Sequence, residues 1–226
     1  MVVDVVIPAL DEEHALPHVL AALPRSRVRR VVVADNGSRD GTARVAREGG
    51  AEVVHEPRRG YGAACLRALS VLRRDPPEVV AFLDGDRSDH PEELPLLLAP
   101  IEAGRAELVV GSRVARAERG SLTPQQRVGN ALACAALRWV YRARYTDLGP
   151  FRAIRWDALE KLGMRDLDYG WTVEMQIRAA RAGLRHEEVC VSYRPRIGRS
   201  KVSGTLRGTL GASRKILWTL ARHARS

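Results

Sequence analysis

From its amino end the chain alternates short unbroken apolar runs with stretches in which apolar residues return every three or four positions. Val2-Val3-Asp4-Val5-Val6-Ile7 reads as a buried strand, and Leu16, Val19, Leu20 and Leu23 then recur at helical spacing. Val31 to Ala34 reads as a second strand, and Asp40 stands where a side chain can cap a helix continuing through Val45 and Ala46. A third strand, Ala51 to His55, precedes a helix carrying Cys65, Leu66, Leu69 and Leu72, and the apolar run from Val79 stops at Asp84. This β-α-β-α-β-α-β order predicts an α/β, Rossmann-like fold: a mostly parallel central sheet with helices on both faces, binding ligands beyond the carboxyl ends of its strands. Further on, Leu108 to Gly111 reads as a strand and Pro124 to Tyr141 as a helix. No Pro/Gly/Ser-rich linker or internal repeat divides the 226 residues, which suit one domain.

The polar residues that interrupt this pattern sit where such a sheet would expose its carboxyl edge. Asp84-Gly85-Asp86 ends the fourth strand. Taken alone it reads as a turn with an Asx cap, but two acids one residue apart at a strand end can also converge on a hard cation. The loop Pro8-Ala9-Leu10-Asp11-Glu12-Glu13 and the loop Asp35-Asn36-Gly37-Ser38-Arg39-Asp40-Gly41-Thr42 fall on the same edge. Asp35 is suited to accept hydrogen bonds from a base or a ribose. Gly60-Tyr61-Gly62 is a weak loop signal, compatible with a tight turn and a helix start.

Together these residues resemble the inverting family-2 glycosyltransferases of the A-type fold, particularly those similar to dolichyl-phosphate mannose synthase. The resemblance runs through Pro8 to Glu12, Asp35 to Thr42, Asp84-Gly85-Asp86 with His90-Pro91-Glu92-Glu93-Leu94, and Gly111-Ser112-Arg113. It continues in Arg127-Val128-Gly129-Asn130, Asp147 to Ala153, Val173-Glu174-Met175 and Arg196 to Lys201.

That resemblance implies a nucleotide-diphosphate sugar donor of the GDP-mannose or UDP-glucose type, a Mg²⁺ or Mn²⁺ ion on Asp84 and Asp86, and a polyprenyl-phosphate acceptor. It assigns donor contacts to Pro8, Ala9, Leu10, Glu12, Asp35, Asn36, Ser38, Gly62, Asp84 and Gly85. Asp86, Arg113 and Glu174 are the expected catalytic residues, and Arg113, Arg127, Arg196 and Ser200 the expected ligands of the acceptor phosphate, because guanidinium forks grip phosphate oxygens. An anionic phosphate attacking with inversion needs no general base; were the acceptor an alcohol, Asp168 or Glu174 would have to take its proton. The chain departs from the family pattern at Asn36, at Gly85 and at Pro195. The third metal ligand is left between Ser88 and Asp89.

Charge changes the picture at the carboxyl end. The formal net charge is +10, and after Glu188 nine Lys and Arg residues stand without a single acid. A block of that kind attracts an acceptor phosphate, an anionic membrane surface or nucleic acid; Tyr193 and Trp218 are too few aromatics for nucleic acid. Leu206, Leu210, Ser213, Leu217 and Leu220 fall on one helical stripe, which fits a basic amphipathic helix in the headgroup region or a docked helix with a solvated face. No apolar run approaches the roughly twenty residues a crossing needs. The amino terminus opens in a strand rather than a signal sequence, and Cys65, Cys134 and Cys190 read as reduced core residues, so the expected location is cytoplasmic, with peripheral membrane contact.

The expected division is a donor half at 1–113, an acceptor half at 114–202 and the carboxyl-terminal helix at 203–226, with the polar stretch from Ala115 to Thr123 as a loop that orders on donor binding. A homodimer is left open. The alternatives are a glycosyltransferase for a soluble or protein hydroxyl and a nonenzymatic nucleotide- or nucleic-acid-binding module.

Overall fold

The computed structural model describes residues 1–198. Ser200 and the stripe at 203–226 therefore lie outside the described residues. Strands β1 (Val3–Ala9), β2 (Arg30–Asp35), β3 (Glu52–His55) and β4 (Val79–Phe82) alternate with helices α1 (Leu16–Ala22), α2 (Thr42–Glu48) and α3 (Tyr61–Leu72). Next come α4 (Leu94–Glu102), β5 (Leu108–Ser112), α5 (Pro124–Tyr141), β6 (Arg152–Arg155), α6 (Trp156–Leu162), α7 (Trp171–Arg181) and β7 (His186–Cys190). The strands form one seven-stranded sheet in the order β3-β2-β1-β4-β6-β5-β7. Its pairings are parallel except those of β6, which runs antiparallel to both β4 and β5.

Strand periodicity divides the interior into two cores. Val6, Val32, Ala34, Val80, Phe82, Val110 and Ile154 point toward α3, α5, α6 and α7, whereas Val5, Ile7, Val31, Val33, Ala81, Val109 and Ala153 point toward α1 and α4. A one-residue slip would exchange the two sets and present each helical layer with side chains shaped for the other, so packing against the helices holds the register. The pairing that results, Pro8 with Ala34 and Ala9 with Asp35, ends β1 and β2 level at one edge. The following loops open from that edge.

Two expectations are corrected. Gly41, not Asp40, occupies the cap position of α2, and Asp40 instead accepts the Thr42 N–H at 2.9 Å from one residue further out. Cys65 and Cys134 are buried, but Cys190 is exposed on β7, which among the described residues pairs with β5 alone. The stretch from Ala115 to Thr123 meets Tyr193, whose carbonyl accepts the Glu118 N–H at 2.7 Å. The second half of the chain also contributes β6 to the middle of the sheet, so the two proposed halves share one sheet and one set of cores.

Candidate active site

The carboxyl edge of β1, β2 and β4 carries a cavity of about 300 Å³. Its walls come from Pro8 to Leu10 and Glu12 after β1, Asn36 after β2, Arg59 to Tyr61 at the start of α3, and Asp84 to Asp86 after β4. Tyr169 and Arg196 reach it from later segments. Of the expected donor residues, Pro8, Ala9, Leu10, Glu12, Asn36, Asp84 and Gly85 line the cavity, together with Asp86 and Arg196. Asp35, Ser38, Gly62, Arg113, Arg127 and Glu174 do not.

The two loops after β1 and β2 are laced to each other. Ser38 Oγ accepts the Asp11 N–H at 3.0 Å, Asp11 accepts the Arg39 N–H at 2.8 Å, and Thr42 Oγ1 accepts the Glu12 N–H at 2.7 Å. Asp11 holds a left-handed backbone (φ 52°), a conformation that a short polar side chain tolerates best after glycine. Ser38 thus shapes the cavity without facing it. Asp35, 7 % exposed, accepts the Ser38 N–H at 3.0 Å and pairs with His55 at 3.6 Å. Asn36 spends its amide on the next loop: it donates to the carbonyls of Glu56 (3.1 Å) and Arg58 (2.7 Å) and accepts the Gly60 N–H at 2.8 Å.

Gly60 and Gly62 serve close packing. A Cβ on Gly62 would lie 2.0 Å from the Asp166 carbonyl oxygen, and the Ala63 N–H donates to Leu167 at 2.9 Å. The first turn of α3 is therefore bonded to the 166–168 loop, and Gly62 is set behind the cavity wall. That same loop is held by Glu174, which is 2 % exposed. Its carboxylate accepts the N–H groups of Asp166 (2.7 Å) and Arg165 (3.1 Å) and the Nε–H of Arg178 (2.8 Å). Those bonds tie Glu174 to the loop that brings Tyr169 to the cavity.

Arg113 is likewise committed. Its backbone N–H and Nε–H reach Asp147 Oδ2 at 2.8 and 2.7 Å, and its Nη2 reaches Oδ1 at 2.7 Å. Desolvation works against the guanidinium, but the bidentate bond to Asp147 outweighs it and raises the Arg113 pKa above the ordinary arginine value. Asn130 clamps the same loop by donating to the Thr146 carbonyl and accepting the Leu148 N–H, both at 2.9 Å. Arg127 is exposed on α5, away from the cavity.

After β4 the chain reverses at Arg87 (φ 66°), and Asp86 Oδ1 accepts the Ser88 N–H at 2.8 Å. The segment after β7 lies alongside this reversal: Arg194 N–H donates to Ser88 O and Ile197 N–H to Asp86 O, both at 3.0 Å. That alignment brings the Arg196 guanidinium to 2.5 Å from Asp86 Oδ2 and 3.7 Å from Glu12. Asp84 Oδ1 is buried and, among the described residues, has no hydrogen-bond partner. Burial, then the Asp86 carboxylate, raises Asp84 above the ordinary carboxylate range. A buried, unmatched carboxylate oxygen beside a second carboxylate is a donor set that a hard cation would complete, so the residues fit Mg²⁺ or Mn²⁺. Among the described residues no group of three or more His, Cys, Asp or Glu side chains is placed to hold a metal alone. Of the two candidates for a third ligand, Ser88 donates its hydroxyl to Asp86, and Asp89 lies behind Asp84 with Oδ2 accepting the Asp84 N–H at 3.1 Å. Neither lines the cavity.

Sequence reasoning missed Tyr169 and Arg59 as cavity residues. Arg59 stood beside the Gly60-Tyr61-Gly62 signal and was legible there; Tyr169 depends on a loop placed only by Glu174 and the α3 glycines.

Comparison with known proteins agrees with this geometry. The profile described as glycosyl transferase family 2 matches residues 4–163. An "uncharacterized glycosyltransferase" of Mycobacterium tuberculosis is 45 % identical over 210 residues, which cover 92 % of this chain and 93 % of the relative. The undecaprenyl-phosphate mannosyltransferase of Micrococcus luteus is 33 % identical over 228 residues, 90 % of this chain and 88 % of the relative. Among solved structures, glucosyl-3-phosphoglycerate synthase from M. tuberculosis, in complex with Mn²⁺ and UDP-glucose, superimposes with a TM-score of 0.79 at 25 % identity, covering 99 % of this chain and 79 % of that one. The architecture is the A-type glycosyltransferase fold expected from the motifs.

Proposed function

The chain belongs to glycosyl transferase family 2, and on that premise we propose that it moves a hexose, with inversion, from a nucleotide-diphosphate sugar to a polyprenyl phosphate. The observation that carries the reading is the Asp84, Asp86 and Arg196 constellation lining the cavity: two carboxylates, one with an oxygen unmatched among the described residues, beside a guanidinium. Asp84 and Asp86 would hold Mg²⁺ or Mn²⁺, which when bound supplies positive charge against the departing nucleoside diphosphate. Pro8 to Leu10 and Asn36 form the wall for the nucleoside, with Asp35 and His55 behind them. The donor sugar is of the GDP-mannose or UDP-glucose type; a relative named for mannosyl transfer and a solved neighbour holding UDP-glucose support the two sugars.

Arg196 neutralises Asp86 in this structure and stands at the cavity, so it is the cation best placed to turn to a phosphate. The acids lining the cavity are Glu12, Asp84 and Asp86, and Glu12 is drawn to Arg196. With Glu174 bonded into its loop, a nucleophile that arrives already ionised suits this site better than an alcohol that needs a base. The division into a donor half at 1–113 and an acceptor half beyond it follows the same reading.

Turnover tests it. GDP-mannose and UDP-glucose are each incubated with Mn²⁺ and a short polyprenyl phosphate, 3-phosphoglycerate or a sugar alcohol. Glycosylated polyprenyl phosphate is the expected product. Transfer only to 3-phosphoglycerate or to an alcohol would replace the lipid acceptor with a soluble one.

A further inference from the structure

Helix α5 has one face in the core and another that none of the described residues covers. Ala133, Cys134 and Leu137 are buried. On the opposite side Val128, Leu132, Ala135 and Trp139 fall within about 60° of one another and extend for about 16 Å along the helix. Val128 is 60 % exposed, Leu132 61 % and Trp139 84 %. A contiguous apolar stripe with a fully presented indole marks an interaction surface.

Charge selects the partner. Between Arg113 and Arg144 the chain holds seven arginines and one acid, Glu118, and α5 itself has no acid. Arg113 is taken by Asp147, but Arg127, Arg138, Arg142 and Arg144 are exposed on or just after the helix that bears the stripe. A second copy docked on this face by a twofold axis would set the arginines against themselves. The chain from residue 199 onward is as basic and as free of acids, and would be repelled in the same way. Nucleic acid would meet the cations, but Val128, Leu132 and Ala135 offer it nothing to stack on. An anionic bilayer satisfies both halves of the pattern: aliphatic and indole groups enter the acyl boundary while long guanidinium side chains reach the lipid phosphates.

We propose that the outward face of α5, centred on Leu132 and Trp139, is the surface on which this protein seats itself on an anionic membrane. The proposal deepens the polyprenyl-phosphate reading, since a lipid acceptor is presented in such a membrane, but it is read by binding alone. The full-length chain is sedimented with phosphatidylcholine vesicles, with or without phosphatidylglycerol, in the absence of substrates. Wild type should bind the anionic vesicles and leave the neutral ones, and Val128→Ser/Leu132→Ser/Trp139→Ser should bind at least about tenfold more weakly while keeping its melting temperature. Should that variant fail to fold, Arg138→Glu/Arg144→Glu should lose binding to the same extent. Turnover with a short, water-soluble prenyl phosphate should be unchanged in both variants; absence of turnover in wild type would count against the acceptor reading and leave the vesicle result standing. Three outcomes overturn the proposal: wild type that ignores anionic vesicles, variants that bind them as wild type does, or a wild-type dimer that the triple substitution splits.

Discussion

Replacing Glu174 separates a positioning residue from a catalytic base. Its carboxylate takes two backbone N–H groups of the 165–166 loop and the Arg178 Nε–H, and it is 2 % exposed. Hydrogen bonds to a charged group contribute about 1.5–3 kcal/mol each, but they act as a unit, and stripping one partner from a buried pair costs about 3–5 kcal/mol. For a chain of this size about 1 kcal/mol moves the melting temperature by roughly 2–4 °C, so Glu174→Ala should melt roughly 6–20 °C below wild type. Glu174→Gln keeps one acceptor oxygen for the loop and loses the charge facing Arg178, so it should fall between the two. The assay is thermal unfolding beside steady-state transfer at a temperature where all three proteins are folded. Glu174→Gln should keep kcat within about tenfold of wild type, because the glutamine still holds the 165–168 loop, and its pH profile should match. A kcat reduced about a thousandfold, with an unchanged melting temperature and a lost acid limb, would show that Glu174 takes a proton and refute the reasoning.

Gly62→Ala places a Cβ 2.0 Å from the Asp166 carbonyl oxygen, so the 166–168 loop must retreat by about 1 Å; the variant should lose about 1–3 kcal/mol in urea titration and bind donor more weakly through Tyr169. Asp147→Asn removes the charge that faces the Arg113 guanidinium at 2.7 Å, and a loss of about 3–5 kcal/mol is expected from the same titration. Asp40 is pushed up by burial but held below the ordinary carboxylate range by the Thr42 hydroxyl and N–H, so its contribution is present above the unfolded-state value and lost as pH falls through the folded one. Asp40→Asn should accordingly cost about 1 kcal/mol near neutrality, and the gap should close as pH is lowered from about 5 to about 3.

The first four strands were legible because each is a short apolar run framed by polar loops, and the loops that follow them carried the acids that mark the edge. Strand β6 was not: Arg152 interrupts its apolar run, and only the folded chain reveals that its guanidinium, 1 % exposed, is bonded to the carbonyls of Gly149 and Thr172. Strand β7 reads His-Glu-Glu-Val-Cys and shows no alternation, since among the described residues it lies at an edge with one neighbour. Motif position identified Asp84, Asp86 and Arg196, which do meet in space. It also marked Ser38, Asn36, Arg113 and Glu174, whose side chains turn out to fasten loops. A motif records that a residue type is required at a place, and the requirement of a clamp looks the same in sequence as that of a ligand.

Asp84 and Asp86 are proposed to bind a sugar nucleotide through a divalent cation. This is tested most directly by calorimetric titration of UDP-glucose and GDP-mannose into the protein with Mn²⁺ and with excess chelator, for wild type and for Asp84→Asn. Wild type should bind one of the two donors in Mn²⁺ and lose at least about a hundredfold in affinity without it, and Asp84→Asn, folded to the same melting curve, should show the weak value under both conditions. Donor binding of equal strength with and without metal, unchanged in Asp84→Asn, would rule out a metal bridge at these two acids.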